Sequence, residues 1–128
     1  MAIPDLKRRS MRLALAVIEF CRTLPPTPEA GIASHQLLRA GTGAAANYRA
    51  ACRPRSTADF IAKIGIAIEE ADETQFWLEL LVEAGIVEPE VARPLLQEVD
   101  ELIRIYVTSR QTARCHQREP KRTGTLNP

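Results

Sequence analysis

Gly41 to Leu81 reads GTGAAANYRAACRPRSTADFIAKIGIAIEEADETQFWLELL. A run of small residues leads into the proline break Arg53-Pro54-Arg55, after which apolar residues recur at helical spacing. Ser56-Thr57-Ala58-Asp59 resembles a capping box, with Asp in place of the usual Glu or Gln. The stretch therefore predicts two helices, one ending near Cys52 and one running from Thr57 to about Ala84.

The sequence on either side predicts two more helices. The first helix spans about Asp5 to Thr23 and stops before two consecutive prolines. The second begins at Thr27-Pro28-Glu29, with Thr as a candidate N-cap and Pro at the first helical position. The fourth begins at Glu88-Pro89-Glu90, with a bent or interrupted first turn expected at Pro94, and ends near Gln111.

These segments predict the fold class. Four amphipathic helices joined by short loops are typical of an all-α protein, and we expect an antiparallel up-down-up-down four-helix bundle over residues 1–112. The length of 128 residues fits one domain, and an aromatic content of 5% argues against a β sandwich. Residues 113–128 are polar, basic and aperiodic, which predicts a disordered C-terminal tail.

Charge is segregated along the chain although the net charge is only +1. Residues 1–63 hold ten Lys and Arg against four acids, whereas residues 64–103 hold one Arg against eleven acids. Such segregation suits helices that attract each other within a bundle or between subunits. The three cysteines form no CxxC motif, and no segment approaches the roughly 20 apolar residues of a membrane span. We therefore expect a cytoplasmic protein with reduced thiols and no membrane partner.

Gly41 and Gly43 interrupt the second helix, at a cost of about 1 kcal/mol each relative to alanine. The compensation we expect is close approach by another helix, within the domain or across a subunit boundary.

Asn47, Tyr48 and Arg49 follow among alanines and have two interpretations. They form a polar pocket with Glu69, Glu70 or Glu73 of the third helix, or they satisfy buried or subunit-facing polar groups and fix helix register. We favour the second interpretation because buried polar networks specify packing. The predicted assembly and polar core comprises Gly41, Gly43, Asn47, Tyr48, Arg49, Glu70, Glu73 and Trp77.

Two segments carry a resemblance to a known family. Residues 41–49, GTGAAANYR, and residues 71–81, ADETQFWLELL, are similar to the four-helix bundle protein family, also called the rRNA intervening-sequence protein family. Ser56 and residues 59–63 fit the start of its third helix, and residues 101–103 fit its last helix. The resemblance covers about residues 5–112.

The resemblance implies a homo-oligomer, commonly a ring of five bundles, with no known catalysis and no cofactor. It also implies relatives that serve as accessory proteins of diversity-generating retroelements and bind nucleic acid and a reverse transcriptase through a basic surface. One branch of the family carries Pro-Ser-Asn-Ile-Ala-Glu-Gly late in helix two, and of that motif only Asn47 clearly matches here. Ala45, Ala46 and Ala50 replace its proline, serine and glutamate, so no role of that glutamate is carried over.

The acidic patch between Glu69 and Glu73 is the obvious place to look for a metal. Di-iron bundles pair Glu with His three residues later, but His35 follows Ile32 and His116 follows Ala113 at that spacing. No Ser/His/Asp set, Gly-rich phosphate loop or Cys/His pair is present in the sequence. We therefore expect no metal site and no enzymatic activity, and a binding or scaffold role with a protein partner that the sequence does not identify.

Nucleic-acid binding is the alternative function. A symmetric oligomer would multiply small basic patches, and phosphate contacts dominate affinity for RNA and DNA. The net charge of +1 and the lack of a reader motif weigh against it. The candidate contacts are Arg8, Arg9, Arg12, Arg53 and Arg55.

Overall fold

The computed structural model describes residues 5–118 of the chain. Four helices account for most of this part: α1 Leu6–Arg22, α2 Pro28–Ala51, α3 Thr57–Glu83 and α4 Pro89–Arg118. No strand occurs among the described residues. The all-α class predicted from the sequence is thus confirmed.

Local capping signals set where the helices begin and end. The Thr27 hydroxyl accepts a hydrogen bond from the Ala30 amide at the start of α2, and the Ser56 hydroxyl accepts one from the Asp59 amide at the start of α3. The Asp59 carboxylate in turn accepts the amide of Arg55, one residue before the position that a standard capping box would use. Gly85 follows α3 with φ of +75°, the left-handed conformation that favours glycine after a helix.

The predicted end of the fourth helix near Gln111 is wrong, because α4 continues to Arg118. Loss of apolar periodicity suggested an earlier end, but these residues include neither Pro nor Gly, and Gln, Ala and Arg all favour helix. Nor is α4 interrupted at Pro94, which lies within the continuous helix. The disorder predicted for residues 119–128 lies outside the described residues.

The four helices pack as a bundle in which each contacts two neighbours. The backbones of α1 and α2, α2 and α3, α3 and α4, and α4 and α1 approach closely, whereas the diagonal pairs have no close backbone approach within residues 5–118. Neighbours run antiparallel. Cys21, late in α1, donates to the carbonyl of Ser34, early in α2. Along α2, Arg39 contacts Glu73 of α3, whereas the later residue Gly43 lies beside the earlier residue Glu70.

Gly41 allows α1 to lie close against α2. A Cβ atom at this position would stand 3.0 Å from the Val17 side chain, tighter than ordinary van der Waals contact. Both residues are buried in the core. The close approach expected at Gly41 is therefore present, and it lies within the bundle.

Replacing Gly41 with leucine should destabilise the bundle by roughly 1–3 kcal/mol, because the new side chain must displace Val17 from a packed core. Gly31 provides the matched control, since a Cβ atom there would meet nothing within 4 Å. Gly31→Leu should be neutral or stabilising by up to about 1 kcal/mol through helix propensity. Urea unfolding of both variants measures the difference. Equal stability of the two variants would contradict the packing described for α1 on α2.

Candidate functional site

A layer of hydroxyl and aromatic side chains joins three helices near the start of α1 and the end of α2. The Tyr106 hydroxyl of α4 hydrogen-bonds the Ser10 hydroxyl of α1, and both residues are almost fully buried. Ser10 also donates to the carbonyl of Leu6. The Tyr48 ring of α2 stacks on the Tyr106 ring with centroids 5.2 Å apart and planes 14° apart. We call Ser10, Tyr48 and Tyr106 the tyrosine layer.

Burial controls the ionisation of this layer. Desolvation raises the pKa of both phenols, and for Tyr48 the neighbouring Cys52 adds to the effect. The phenols thus stay neutral well above the pH at which a free tyrosine ionises. This behaviour follows from packing and indicates no reactive group.

Two acids of α3, Glu70 and Glu73, pair with Arg39 of α2, which lies in no sequence motif. Arg39 donates hydrogen bonds to the carboxylates of Glu70 and Glu73 across the α2–α3 interface. The pKa of Glu73 is lowered, chiefly by the hydrogen bond from Arg39, and the Trp77 indole donates a further bond at 3.4 Å. Gly43 lies beside this network, since a Cβ atom there would stand 3.2 Å from the Glu70 carboxyl carbon.

The structure separates Asn47, Tyr48 and Arg49 rather than gathering them with the α3 acids. The Asn47 amide donates to the Gly43 carbonyl of its own helix, and Tyr48 belongs to the tyrosine layer. Arg49 is exposed and lines a groove of about 590 Å³. The residues of the predicted polar core are thus spread over several places, with Gly41 against α1, and no hydrogen bond joins Asn47, Tyr48 or Arg49 to the α3 acids within residues 5–118.

Arg9 ties α1 to α4. Its guanidinium donates to both carboxylate oxygens of Glu98, at 2.7 and 3.0 Å, and also to Glu101. These bonds raise the pKa of Arg9 further above its already high value. Its charge is therefore balanced within the bundle, and Arg55 is paired with Asp59, whereas the other predicted nucleic-acid contacts, Arg8, Arg12 and Arg53, form no ion pair within residues 5–118.

Antiparallel packing turns the charge segregation of the sequence into two oppositely charged ends. The tyrosine layer divides the bundle, and we call residues 5–10, 48–65 and 106–118 the basic end. This end holds ten Lys and Arg against two acids, a net charge of +8. The remainder, residues 11–47 and 66–105, holds five against thirteen, a net charge of −8.

The arginines predicted to contact nucleic acid do not all lie in the basic end. Arg8 lines the 590 Å³ groove with Lys7 and Arg49, and Arg53 is exposed in the loop between α2 and α3. Arg55 is also exposed but lies 3.5 Å from the Asp59 carboxylate. Arg12 lies just beyond the tyrosine layer, so it is not part of the basic end.

The part of the chain that the structure describes offers neither a metal-binding cluster nor a membrane span. No three His, Cys, Asp or Glu side chains converge in residues 5–118. None of the described helices combines the length and apolar character that crossing a membrane requires.

The sequence profile described as 23S rRNA-intervening sequence protein matches residues 5–108. The chain belongs to this family. The resemblance found in residues 41–49 and 71–81 is thereby confirmed. This family member is also similar to the crystal structure of a protein of unknown function from the S23 ribosomal protein family of Bacteroides thetaiotaomicron. The TM-score is 0.75 and the identity 32%, with 80% of this chain and 95% of that chain covered. No curated protein shows a significant match.

Tyrosine ionisation provides a direct test of the buried layer. The chain has two tyrosines, and both belong to the layer, so absorbance near 295 nm reports on it alone. The folded protein should show little tyrosinate near pH 10, whereas the guanidinium-unfolded chain should titrate at about pH 10. Because only the unfolded phenols release protons there, the free energy of unfolding should fall as pH rises above about 10. Titration of a full tyrosine near pH 10 in the folded state would contradict this burial.

Proposed function

We propose that this chain is a cytoplasmic, non-enzymatic protein that assembles with copies of itself and serves as a binding or scaffold module. The observation that carries the proposal is the distribution of exposed apolar side chains. Seven large apolar residues of the described chain are 42–62% exposed: Met11, Leu15, Ile32, Ile66, Phe76, Leu80 and Val91. Five of these lie on α1 and α3 alone.

The clustering of exposed apolar side chains indicates an interaction surface more strongly than the exposure of single side chains does. Single apolar side chains are common on any surface, but contiguous exposed apolar patches mark interaction sites. Phe76 and Leu80 are four residues apart on α3, so they lie on one face, and Phe76 makes an edge-to-face contact with Trp77. Met11 and Leu15 have the same spacing on α1. Two helices therefore each present an apolar strip to the outside of the bundle.

The shifted titratable groups favour a non-catalytic role. The pKa of Asp59 is lowered chiefly by the hydrogen bond from the Arg55 backbone amide and then by Lys63, and the pKa of Glu73 is lowered chiefly by the hydrogen bond from Arg39. Structural hydrogen bonds and ion pairs of this kind perturb pKa values away from catalytic sites as well. The family resemblance adds a copy number to the proposal, since it implies a ring of five.

Sedimentation velocity over a range of concentrations tests self-association. We expect a species several times the 14.2 kDa chain mass at micromolar concentration, with five copies favoured by the resemblance. Phe76→Ser should reduce the fraction assembled, because a side chain that is 52% exposed in the single chain would no longer bury apolar surface against the neighbouring copy. Val91→Ser removes a similarly exposed apolar residue from outside the two strips and is the control. A monomer at all concentrations would exclude the proposal.

Nucleic-acid binding is a second candidate function, supported by the charge of +8 at the basic end. In a ring with all bundles pointing the same way, the basic ends would form one continuous positive surface. Lys7, Arg8 and Arg49 line one groove there together with Asp5, and none of the three cations forms an ion pair within the described residues. Three cations against one acid leave the groove with an excess of positive charge, which suits phosphate contacts.

Fluorescence anisotropy with labelled RNA and DNA tests this second function. Arg49→Ala combined with Arg53→Ala should lower affinity and reduce the slope of log Kd against log salt by about 2, roughly 1 for each phosphate that an arginine no longer neutralises. Arg93→Ala combined with Arg104→Ala removes the same charge from outside the basic end and should change neither quantity. Absence of binding at micromolar protein and low salt would exclude the function.

A further inference from the structure

We propose that neighbouring copies pair two different surfaces, the outward face of α1 on one copy and the outward face of α3 on the next. This inference rests on the self-association proposed above and adds which surfaces meet. The α1 face consists of the exposed residues of that helix: Lys7, Arg8, Met11, Arg12, Leu15, Glu19 and Arg22. The α3 face consists of Ile66, Glu69, Asp72, Phe76, Glu79, Leu80 and Glu83.

The two faces are complementary in charge. Four bases and one acid lie on the α1 face, whereas the α3 face has four acids and no base. None of these charged groups forms an ion pair within residues 5–118. Each face thus carries charges that are unpaired within the described residues, and each supplies the sign that the other lacks. Complementary potentials of this kind select partners and disfavour like-charged pairings.

Both faces also have the residue spacing of a helix-packing seam. On α3, exposed and half-buried positions repeat at intervals of four and three residues through 62, 66, 69, 73, 76, 80 and 83. On α1 the same intervals run through 8, 12, 15, 19 and 22. Alternating steps of three and four keep one stripe of a helix facing a partner helix, as in coiled coils. Each helix thus has a core stripe and a second, outward-facing stripe, and in the α3 stripe Glu73 is hydrogen-bonded by Arg39 of α2.

The position of the two helices favours a head-to-tail arrangement. Helices α1 and α3 are diagonal in the bundle and have no close backbone approach within the described residues, so their outward faces point in opposite directions. One copy can therefore engage two neighbours at once, which generates a ring when the rotation closes. Pairing of like faces would instead bring four bases, or four acids, against their own kind.

Charge reversal on each face separately tests this pairing. The α1-face variant is Arg8→Glu, Arg12→Glu and Arg22→Glu, which changes the net charge of that face from +3 to −3. The α3-face variant is Glu69→Lys, Glu79→Lys and Glu83→Lys, which changes the net charge of that face from −4 to +2. All six residues are exposed and without an ion pair in the described chain, so each variant should keep its fold by circular dichroism. Each variant alone should lose self-affinity by about tenfold or more, because both of its faces then carry the same sign. The control Arg93→Glu with Arg114→Glu should assemble as the unmodified chain does.

Restored assembly distinguishes loss of the proposed pairing from general damage to the fold. An equimolar mixture of the two variants should assemble again, and so should one chain carrying all six substitutions, since complementary signs are recovered in both cases. Sedimentation velocity measures each outcome. If the unmodified chain and both variants all assemble equally well, the pairing is overturned while self-association stands. Disruption without restoration would also overturn it, and an unmodified chain that stays monomeric would exclude the proposed function itself.

Discussion

The contact of Val17 with Gly41 fixes how the first helix is rotated in the bundle. Because glycine leaves room for the valine, α1 turns Val17 inward and its arginine-rich side outward. The hydrogen bonds from Arg39 to Glu70 and Glu73 fix α3 in the same way, directing those acids toward α2 and leaving Glu69 exposed. Two local contacts thus determine which residues form the outer surface, and the proposed assembly depends on both.

The sequence predicted what local rules control. Proline breaks, the caps at Thr27 and Ser56, and helical periodicity located four helices, and the cost of Gly41 in a helix indicated a close approach. The end of α4 was misplaced because periodicity reports burial, and residues 112–118 remain helical while mostly exposed.

Pairings across large sequence separations could not be predicted. Arg9 and Glu98 are 89 positions apart, and nothing near either residue marks the bond. Arg39 lies in no motif, so its role emerges only when antiparallel packing sets α2 against α3. The same limit applied to Asn47 and Arg49, which were placed in one polar core although neither contacts the acids of α3. Periodicity gives the face of a helix, but the axial register between helices decides which side chains meet.

Charge polarity links the two functions proposed for this family member. Assembly through the sides of the bundle, at α1 and α3, leaves the ends open, and the basic end has a net charge of +8. A ring built sideways would use Lys7 and Arg8 for its own contacts and would collect the other cations of the basic end, such as Arg49 and Arg53, on one surface.

Chemical crosslinking between the two outward faces tests the central claim most directly. In a background without the three native cysteines, Leu15→Cys on α1 and Ile66→Cys on α3 would be treated with a bifunctional thiol reagent, together and as single variants. Pairing of α1 with α3 predicts a ladder of dimers, trimers and larger species for the double variant and almost no crosslinked product for either single variant. Efficient dimers from a single variant, with no ladder from the double variant, would show that like faces meet and would contradict it.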